Sequence, residues 1–188
     1  MPSDLGRFLA GYAPDDVQRV EWGAEGNPGP LRVAGYLSRE LRPLPYVTSV
    51  RAVVLRGDLV LVMRNRDGVH VLPGGQREPG ETLVQTLERE VLEEAGWTID
   101  VRGRIGFLHF RHLGPRPPGP ARGVPALYSD FAQVVFLAEA LASRPGARMP
   151  GDHELESSFK TIAEALELGS GIARRLFLEE ANRVRDGG

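Results

Sequence analysis

The stretch Gly74 to Trp97, GGQREPGETLVQTLEREVLEEAGW, carries a turn, a helix and a charge cluster in one run. Pro79 and Gly80 mark a turn that ends any preceding element. Thr82 suits an N-cap and Gln85, three positions on, completes a capping box, so a helix is expected from there to about Ala95. At about 100° per residue Val84, Leu87, Val91 and Ala95 form one apolar stripe, with Glu90, Glu93 and Glu94 along its edge. Three carboxylates at i, i+3 and i+4 repel one another at neutral pH and weaken the helix on its own. A hard divalent cation such as Mg2+ or Mn2+ offsets that repulsion, because both take oxygen ligands and Mg2+ is commonly shared among a few carboxylates, water and substrate phosphates. An acidic run by itself usually means a solvated helix face. The flanking glycines, Gly75 before and Gly96 after, turn the balance toward a built site.

Gly75, Glu81, Arg89, Glu90, Glu93, Glu94 and Gly96 follow the spacing G-x5-E-x7-R-E-U-x-E-E-x-G-U, where U is apolar. At ordinary residue frequencies such a match arises by chance on the order of once in a hundred million start points. The run resembles the Nudix box, the signature of hydrolases that use divalent metal ions to cut a nucleoside diphosphate linked to another group. The resemblance implies an α/β fold, the Nudix-type three-layer α/β/α sandwich with a mixed sheet, over about residues 47–183. It implies that Gly75 offers its carbonyl and Glu90, Glu93 and Glu94 their carboxylates to Mg2+, or to Mn2+, while Arg89 and Glu81 form an ion pair bracing loop against helix. The implied catalytic set is Glu90, Glu94, Arg89 and Glu81, with Glu90 one candidate for the base that activates water. Relatives often place the base or a further ligand far from the box, and Glu154 and Glu156, read as loop residues of GDHELESSF after the last strand, occupy that region. Glu139 is a rival and His153 either assists or only hydrogen bonds. His70 stands where many relatives carry tryptophan.

Composition narrows the setting. The 188 residues are 41% hydrophobic, enough for one good core plus a small appendage. A formal charge of −2 provides no broad basic surface for long nucleic acid, so a small nucleoside diphosphate derivative is the expected partner. The absence of cysteine removes disulfides, thiolate metal sites and cysteine nucleophiles. The opening MPSDLGRFLAGYAPDD lacks a basic leader and a long apolar run, no stretch reaches the roughly 20 apolar residues that span a bilayer, and a cytoplasmic protein is expected.

Working outward from the box, residues 1–45 read as an extension and 46–188 as the main domain. Leu5, Phe8, Leu9 and Tyr12 recur at helical spacing, and Val20, Trp22, Leu31, Val33 and Leu37 alternate around GAEGNPGP as in a hairpin. Two roles compete for this module, a lid over the substrate site and an arm of a homodimer, for which Trp22, Tyr36 and Tyr46 suit an interface. SVRAVVL and LVLVMRN, joined at Arg56-Gly57-Asp58, read as a hairpin, and Val69 to Leu72 as a short strand. Ile99 to Arg104, Ile105 to Phe110 and Gln133 to Ala138 suggest further strands. GPRPPGPARGVP between them cannot be regular structure, and its Arg116 and Arg122 are candidate contacts for an anionic substrate. Glu164 to Leu168 and the run after Ser170 read as helices, the second burying Ile172, Leu176 and Ala181. Arg51 and Arg64 flank the hairpin and are candidates for bidentate contact with substrate phosphate, against the alternative of surface ion pairs. Phe107, Phe110, Tyr128 and Phe131 are candidates for stacking on a base, against the alternative of core packing.

Overall fold

The structure, a computed structural model, describes residues 4–22, 29–40, 44–65, 68–114, 130–149, 154–168 and 171–186. In chain order the elements are α1 (Asp4–Leu9), β1 (Asp16–Trp22), β2 (Gly29–Tyr36), a 3-10 turn (Leu44–Tyr46), β3 (Val47–Arg56), β4 (Leu59–Asn65) and β5 (Gly68–His70). Then come α2 (Leu83–Ala95), β6 (Trp97–His112), β7 (Asp130–Ser143), β8 (Glu154–Thr161), α3 (Ile162–Glu167) and α4 (Ile172–Asp186). The strands form one mixed sheet in the order β1-β2-β6-β7-β3-β4-β5, with β8 on β4. β3 and β7 run parallel, from Val47 opposite Ala132 to Leu55 opposite Glu139, and the other pairings are antiparallel.

Strand alternation sends successive side chains of β3 and β7 to opposite faces. Val50, Ala52, Val54, Val134, Phe136 and Ala138 meet Leu87, Val91 and Ala95 of α2 on one face. Val53, Leu55, Val135 and Leu137 meet Ala165 of α3 and Phe177, Leu178 and Ala181 of α4 on the other. This is the expected α/β/α layering. The buried face of α2 is turned slightly from the expected one: Leu83 packs on the core and Thr86 is fully buried, while Val84 is 38% exposed. In α4 the burial centres on Phe177 and Leu178, with Leu176 only partly buried.

Three strand expectations change. Ile99 to Arg104 and Ile105 to Phe110 belong to one strand, β6, whose register against β7 shifts at Thr98/Ile99, Val101/Gly103 and Arg104/Gly106. The segment holding Glu154 and Glu156 is the strand β8, paired along β4 from Leu59 opposite Thr161 to Asn65 opposite Glu154, and not a loop. The β1 and β2 hairpin joins the main sheet, with Leu31 to Tyr36 opposite His112 to Phe107 of β6. Leu31 and Val33 of that hairpin share the core of Phe177 and Leu178. Residues 115–129, with Pro115, Arg116, Arg122 and Tyr128, lie outside the described residues, as do His153 and Ser170. Among the described residues no helix is long and apolar enough to cross a membrane.

The β3–β4 hairpin creates the setting for the box loop. Its two strands pair only at Leu55/Val60 and Arg56/Leu59, so they diverge beyond the turn. The loop fills the opening: Val50 N donates to Gly75 O and Ala52 N to Pro73 O, both at 3.0 Å, and Ser49 bridges to Gln76.

Candidate active site

Helix α2 begins where its chemistry requires. Thr82 is extended at φ −77° and ψ 162°, its hydroxyl accepts from Gln85 N, and the Gln85 side chain accepts from Thr82 N at 2.9 Å, which completes the capping box. The helix ends at Gly96, whose left-handed φ of 72° suits glycine, with Gly96 N donating to Leu92 O at 2.9 Å. The segment after β7 satisfies further carbonyls of the last turn: Met149 N donates to Glu93 O at 2.8 Å and Arg148 Nε to Glu94 O at 2.9 Å. A cation there also complements the negative end of the helix dipole.

Two glycines let the loop lie close to its neighbours, Gly74 against the backbone of β3 and Gly75 against the Glu90 side chain of α2. Gly74 has φ 130°, and a Cβ on it would lie 2.3 Å from Val50 O. A Cβ on Gly75 would fall 2.3 Å from the Glu90 carboxyl carbon. Gly74 N donates to Glu94 Oε2 at 2.9 Å, and Arg51 donates to Gly74 O. A carboxylate of the helix and a guanidinium of β3 therefore meet at one residue of the loop, on the two peptides that flank its Cα.

Arg89 is the hub. Its Nε donates to Glu81 Oε1 at 2.7 Å and Nη2 to Glu81 Oε2 at 3.1 Å, a bidentate pair, and Nη2 also reaches Gln76 O at 3.2 Å. Nη1 spans Glu90 Oε1 at 3.0 Å and Glu93 Oε2 at 3.2 Å. Glu81 is completed by Glu78 N at 3.0 Å and the Thr86 hydroxyl at 2.8 Å. The bond from Arg89, followed by that from Glu78 N, holds the Glu81 carboxyl down to about 2 from its ordinary 4.5. Glu81 in turn holds Arg89 more firmly protonated than usual. Burial pushes the Glu90 carboxyl up and Glu93 acts in the same direction, while Arg89 and Arg51 oppose the shift. Sequence alone did not single out Gly74, Thr86 or Arg148. Thr86 left one signal, a polar side chain near the apolar edge of the helix.

The outlying candidates scatter. Arg64 pairs at 3.8 Å with Glu156, both side chains more than 60% exposed, so this β4–β8 pair stays on the surface. Glu139 accepts from Gly57 N at 3.1 Å and serves the β3–β4 turn. Phe107 stacks on Tyr36 with centroids 4.4 Å apart and Phe110 on Phe131 at 4.7 Å, so these aromatics pack in the protein's own core. His70 lies on β5, half-buried, opposite Met63.

Known proteins resemble the chain in sequence and in fold. "NAD-capped RNA hydrolase NudC" of Klebsiella pneumoniae subsp. pneumoniae is 30% identical over 103 residues, 52% of this chain and 37% of that protein. "Oxidized purine nucleoside triphosphate hydrolase" of Danio rerio is 44% identical over 41 residues, 22% of this chain and 26% of that protein. The matches thus span well under half the length of these relatives. Among solved structures, the Bacillus subtilis pyrophosphohydrolase BsRppH superposes with a TM-score of 0.56 at 16% identity, covering 90% of this chain and 98% of that one. A C. elegans Ap4A hydrolase does so at 0.53 and 16%, covering 76% and 99%. These last two show the shared fold. The NUDIX domain model matches residues 45–181, from the turn before β3 into α4, and the chain belongs to that family.

Proposed function

We propose that the protein hydrolyses a phosphoanhydride bond in a nucleoside diphosphate linked to another group, with Mg2+ as the working cation and Mn2+ as its substitute. The observation that most supports this is the Arg89 hub, which ties Glu81 of the loop to Glu90 and Glu93 of the helix while Glu94 holds the Gly74 peptide. A family member that had become a silent binding module would have no need to retain the whole constellation.

The donor set suits a hard cation. All donors are oxygens, and a cation at Glu90 and Glu93 would share or displace the contacts that Arg89 makes with them. Among the described residues no three acidic, histidine or cysteine side chains stand together closely enough to hold a metal ion as they lie, so the helix carboxylates would have to turn toward a cation that brings waters and substrate phosphates as its other ligands. Glu90, Glu93, Glu94 and the second lone pair of the Gly75 carbonyl would hold it, the first lone pair being used by Val50 N. When bound, the cation neutralises phosphate charge and lowers the pKa of a ligated water.

The chain's own residues supply the rest. The Glu81–Arg89 brace fixes the loop against α2, and the bonds from Met149 and Arg148 fix the turn that carries Glu93 and Glu94. Glu90, held at Gly75 in a partly buried position, is our choice for the group that takes the proton of the attacking water. Arg51, beside the loop, is our choice for phosphate contact, whereas Arg64 and Glu156 stand apart as a surface pair. Nucleotide sugars, ADP-ribose, dinucleoside polyphosphates and ordinary or oxidised nucleoside triphosphates all fit this chemistry. A cytoplasmic homodimer is our proposed setting; because β2 is built into the main sheet, a lid or dimer-arm role for residues 1–45 would fall to the outer strand β1 and the exposed residues beside it. Sedimentation of the full chain tests the dimer.

The deciding experiment incubates the purified chain with Mg2+ or Mn2+ and a panel of these substrates, with CoA added, and reads the products by mass. Turnover that disappears in Glu94→Gln supports the proposal and names the substrate class. Silence across the panel, with nucleotide binding retained in Glu93→Gln and Glu94→Gln, would establish a sensor instead.

A further inference from the structure

Strand β2 reaches β6 only from Phe107 to His112. Among the described residues, the half of β6 from Trp97 to Gly106 therefore has β7 on one side and no strand on the other. A cleft of about 450 Å3 opens along this half, lined by Arg39, Arg102 and Arg104, with Val84, Val101 and Val184 among its apolar walls. That volume lies in the range of small-ligand pockets. Val84 is turned by about half a revolution of α2 from Glu93, so the cleft lies on another flank of the helix from the Arg89 hub.

Charge in the cleft is unbalanced. Among the described residues Arg102 has one ion-pair partner, Asp100 at 3.0 Å, in a pair about half exposed on each side and hence weak. Arg104 Nε donates to Arg39 O at 3.0 Å, and among the described residues no carboxylate lies within ion-pair distance of Arg39 or Arg104. Guanidinium groups gathered along one cleft repel one another, and a bound anion relieves the repulsion. Backbone geometry adds to the case. The ladder with β7 steps from Val101 to Gly103 and from Arg104 to Gly106, which leaves Arg102 and Ile105 without partners there. Gly103, at φ 151°, has nothing within 4 Å of its Cβ position, so the cleft is open above it.

The same irregularities indicate the kind of occupant. Two skipped residues, with charges at Asp100, Arg102 and Arg104, obstruct the addition of another strand to this edge. A compact anion meets no such obstacle. We propose that the cleft binds a nucleoside mono- or diphosphate, its phosphate on Arg39, Arg102 and Arg104 and its ring against Val84 and Val101 on the α2 side, at a site separate from the catalytic carboxylates. The inference does not depend on the hydrolase reading.

Calorimetric titration of the full chain with ADP, with adenosine as the uncharged control, tests it. Excess EDTA removes divalent cations from the carboxylates and so reads this cleft apart from the catalytic site. The expected result is ADP binding without adenosine binding, weakened about tenfold in Arg102→Ser. It should be nearly abolished in the Arg102→Ser, Arg104→Ser double variant and largely kept in Arg102→Lys. Circular dichroism checks the fold, and the single variant at exposed Arg102 keeps the test decisive if the double variant unfolds. Equal ADP affinity in the wild type and Arg102→Ser, no ADP binding at millimolar concentration, or a preference of these arginines for short single-stranded RNA would overturn the proposal. The first two results would leave the arginines as protection of a free strand edge.

Discussion

Gly74→Ala probes the contact on which the active-site geometry turns. The new Cβ would lie 2.3 Å from Val50 O and 3.1 Å from Arg51 Cα, both backbone atoms of β3. β3 cannot yield, because it pairs with β7 from Val47 to Leu55, so the loop must move. Movement gives up the bonds from Val50 N to Gly75 O, from Ala52 N to Pro73 O and from Gly74 N to Glu94 Oε2. At about 1 kcal/mol net for each bond the loss is about 3 kcal/mol. A loop that stayed in place would instead carry about 1–3 kcal/mol of strain for a side chain at positive φ, on top of the clash. Either route destabilises by about 2–4 kcal/mol, which lowers the thermal midpoint by roughly 10 °C in a chain of this length. Turnover should fall at least about a hundredfold, since a shift on the order of 1 Å in a positioning element costs that much. Gly80→Ala is the control: it also has positive φ, at 88°, but nothing lies within 4 Å of its Cβ position, so only about 1–2 kcal/mol of strain is expected. Urea unfolding and initial-rate assays on both variants decide the matter, and Gly74→Ala behaving like Gly80→Ala in both would refute the reasoning.

Arg89→Lys keeps the charge but loses the fork on Glu81, and kcat/KM should fall at least about tenfold while the far-ultraviolet spectrum is unchanged, as steady-state kinetics and circular dichroism will show. Leu87→Ala, at a fully buried position between α2 and the sheet, should cost about 2–5 kcal/mol in urea unfolding, whereas Val84→Ala on the exposed flank should stay within about 0.5 kcal/mol of the wild type. Stability should also depend on acid. The folded Glu81 carboxyl titrates near 2 against an ordinary 4.5, so its contribution is complete above pH 4.5 and is lost as pH falls from there toward 2; Glu164, lowered by its bonds with Thr161, acts in the same direction. Urea midpoints across that window should slope less in Glu81→Gln than in the wild type, and parallel slopes would count against the brace.

The catalytic segment could be read closely because its determinants are local. Thr82, Gln85 and Gly96 act on their own helix, and the seven spaced residues lie within 22 positions of one another. The misplacement of Val84 has a tertiary cause. Glu81 accepts from the hydroxyl of Thr86, and Arg89 ties the same carboxylate to the helix. The side of α2 that bears Leu83 and Thr86 is thereby drawn under the loop, and Val84 is left at the surface. Neither bond can be inferred from apolar periodicity. Arg51 shows a related difficulty: its residue type suggested phosphate contact, but its reach to the Gly74 carbonyl exists only because β3 and β4 diverge and the loop enters the opening.

Elements whose state depends on a distant partner were not legible. In ELESSFKT only Leu155 and Phe159 are apolar, too few to signal a strand, yet β4 supplies an antiparallel edge along the whole of it. Phe159 then meets Trp97 edge-on at 5.1 Å, and the Arg56 guanidinium lies 4.2 Å from the Phe159 ring centre, contacts that join β8, β6 and β3. The hairpin of β1 and β2 is the larger case. Its alternation was visible, but the pairing of Leu31 with His112 closes a loop of roughly 80 residues, and nothing local encodes which edge it will join. The bulges of β6 provide a physical reason for where that pairing stops: β2 covers β6 up to Phe107, and beyond it the irregular, charged half, though paired with β7, presents a poor outer edge for a second ladder. The edge left bare is where Arg102 and Arg104 line the cleft, so the irregularity that split β6 into two strands in the sequence reading also shapes this cleft.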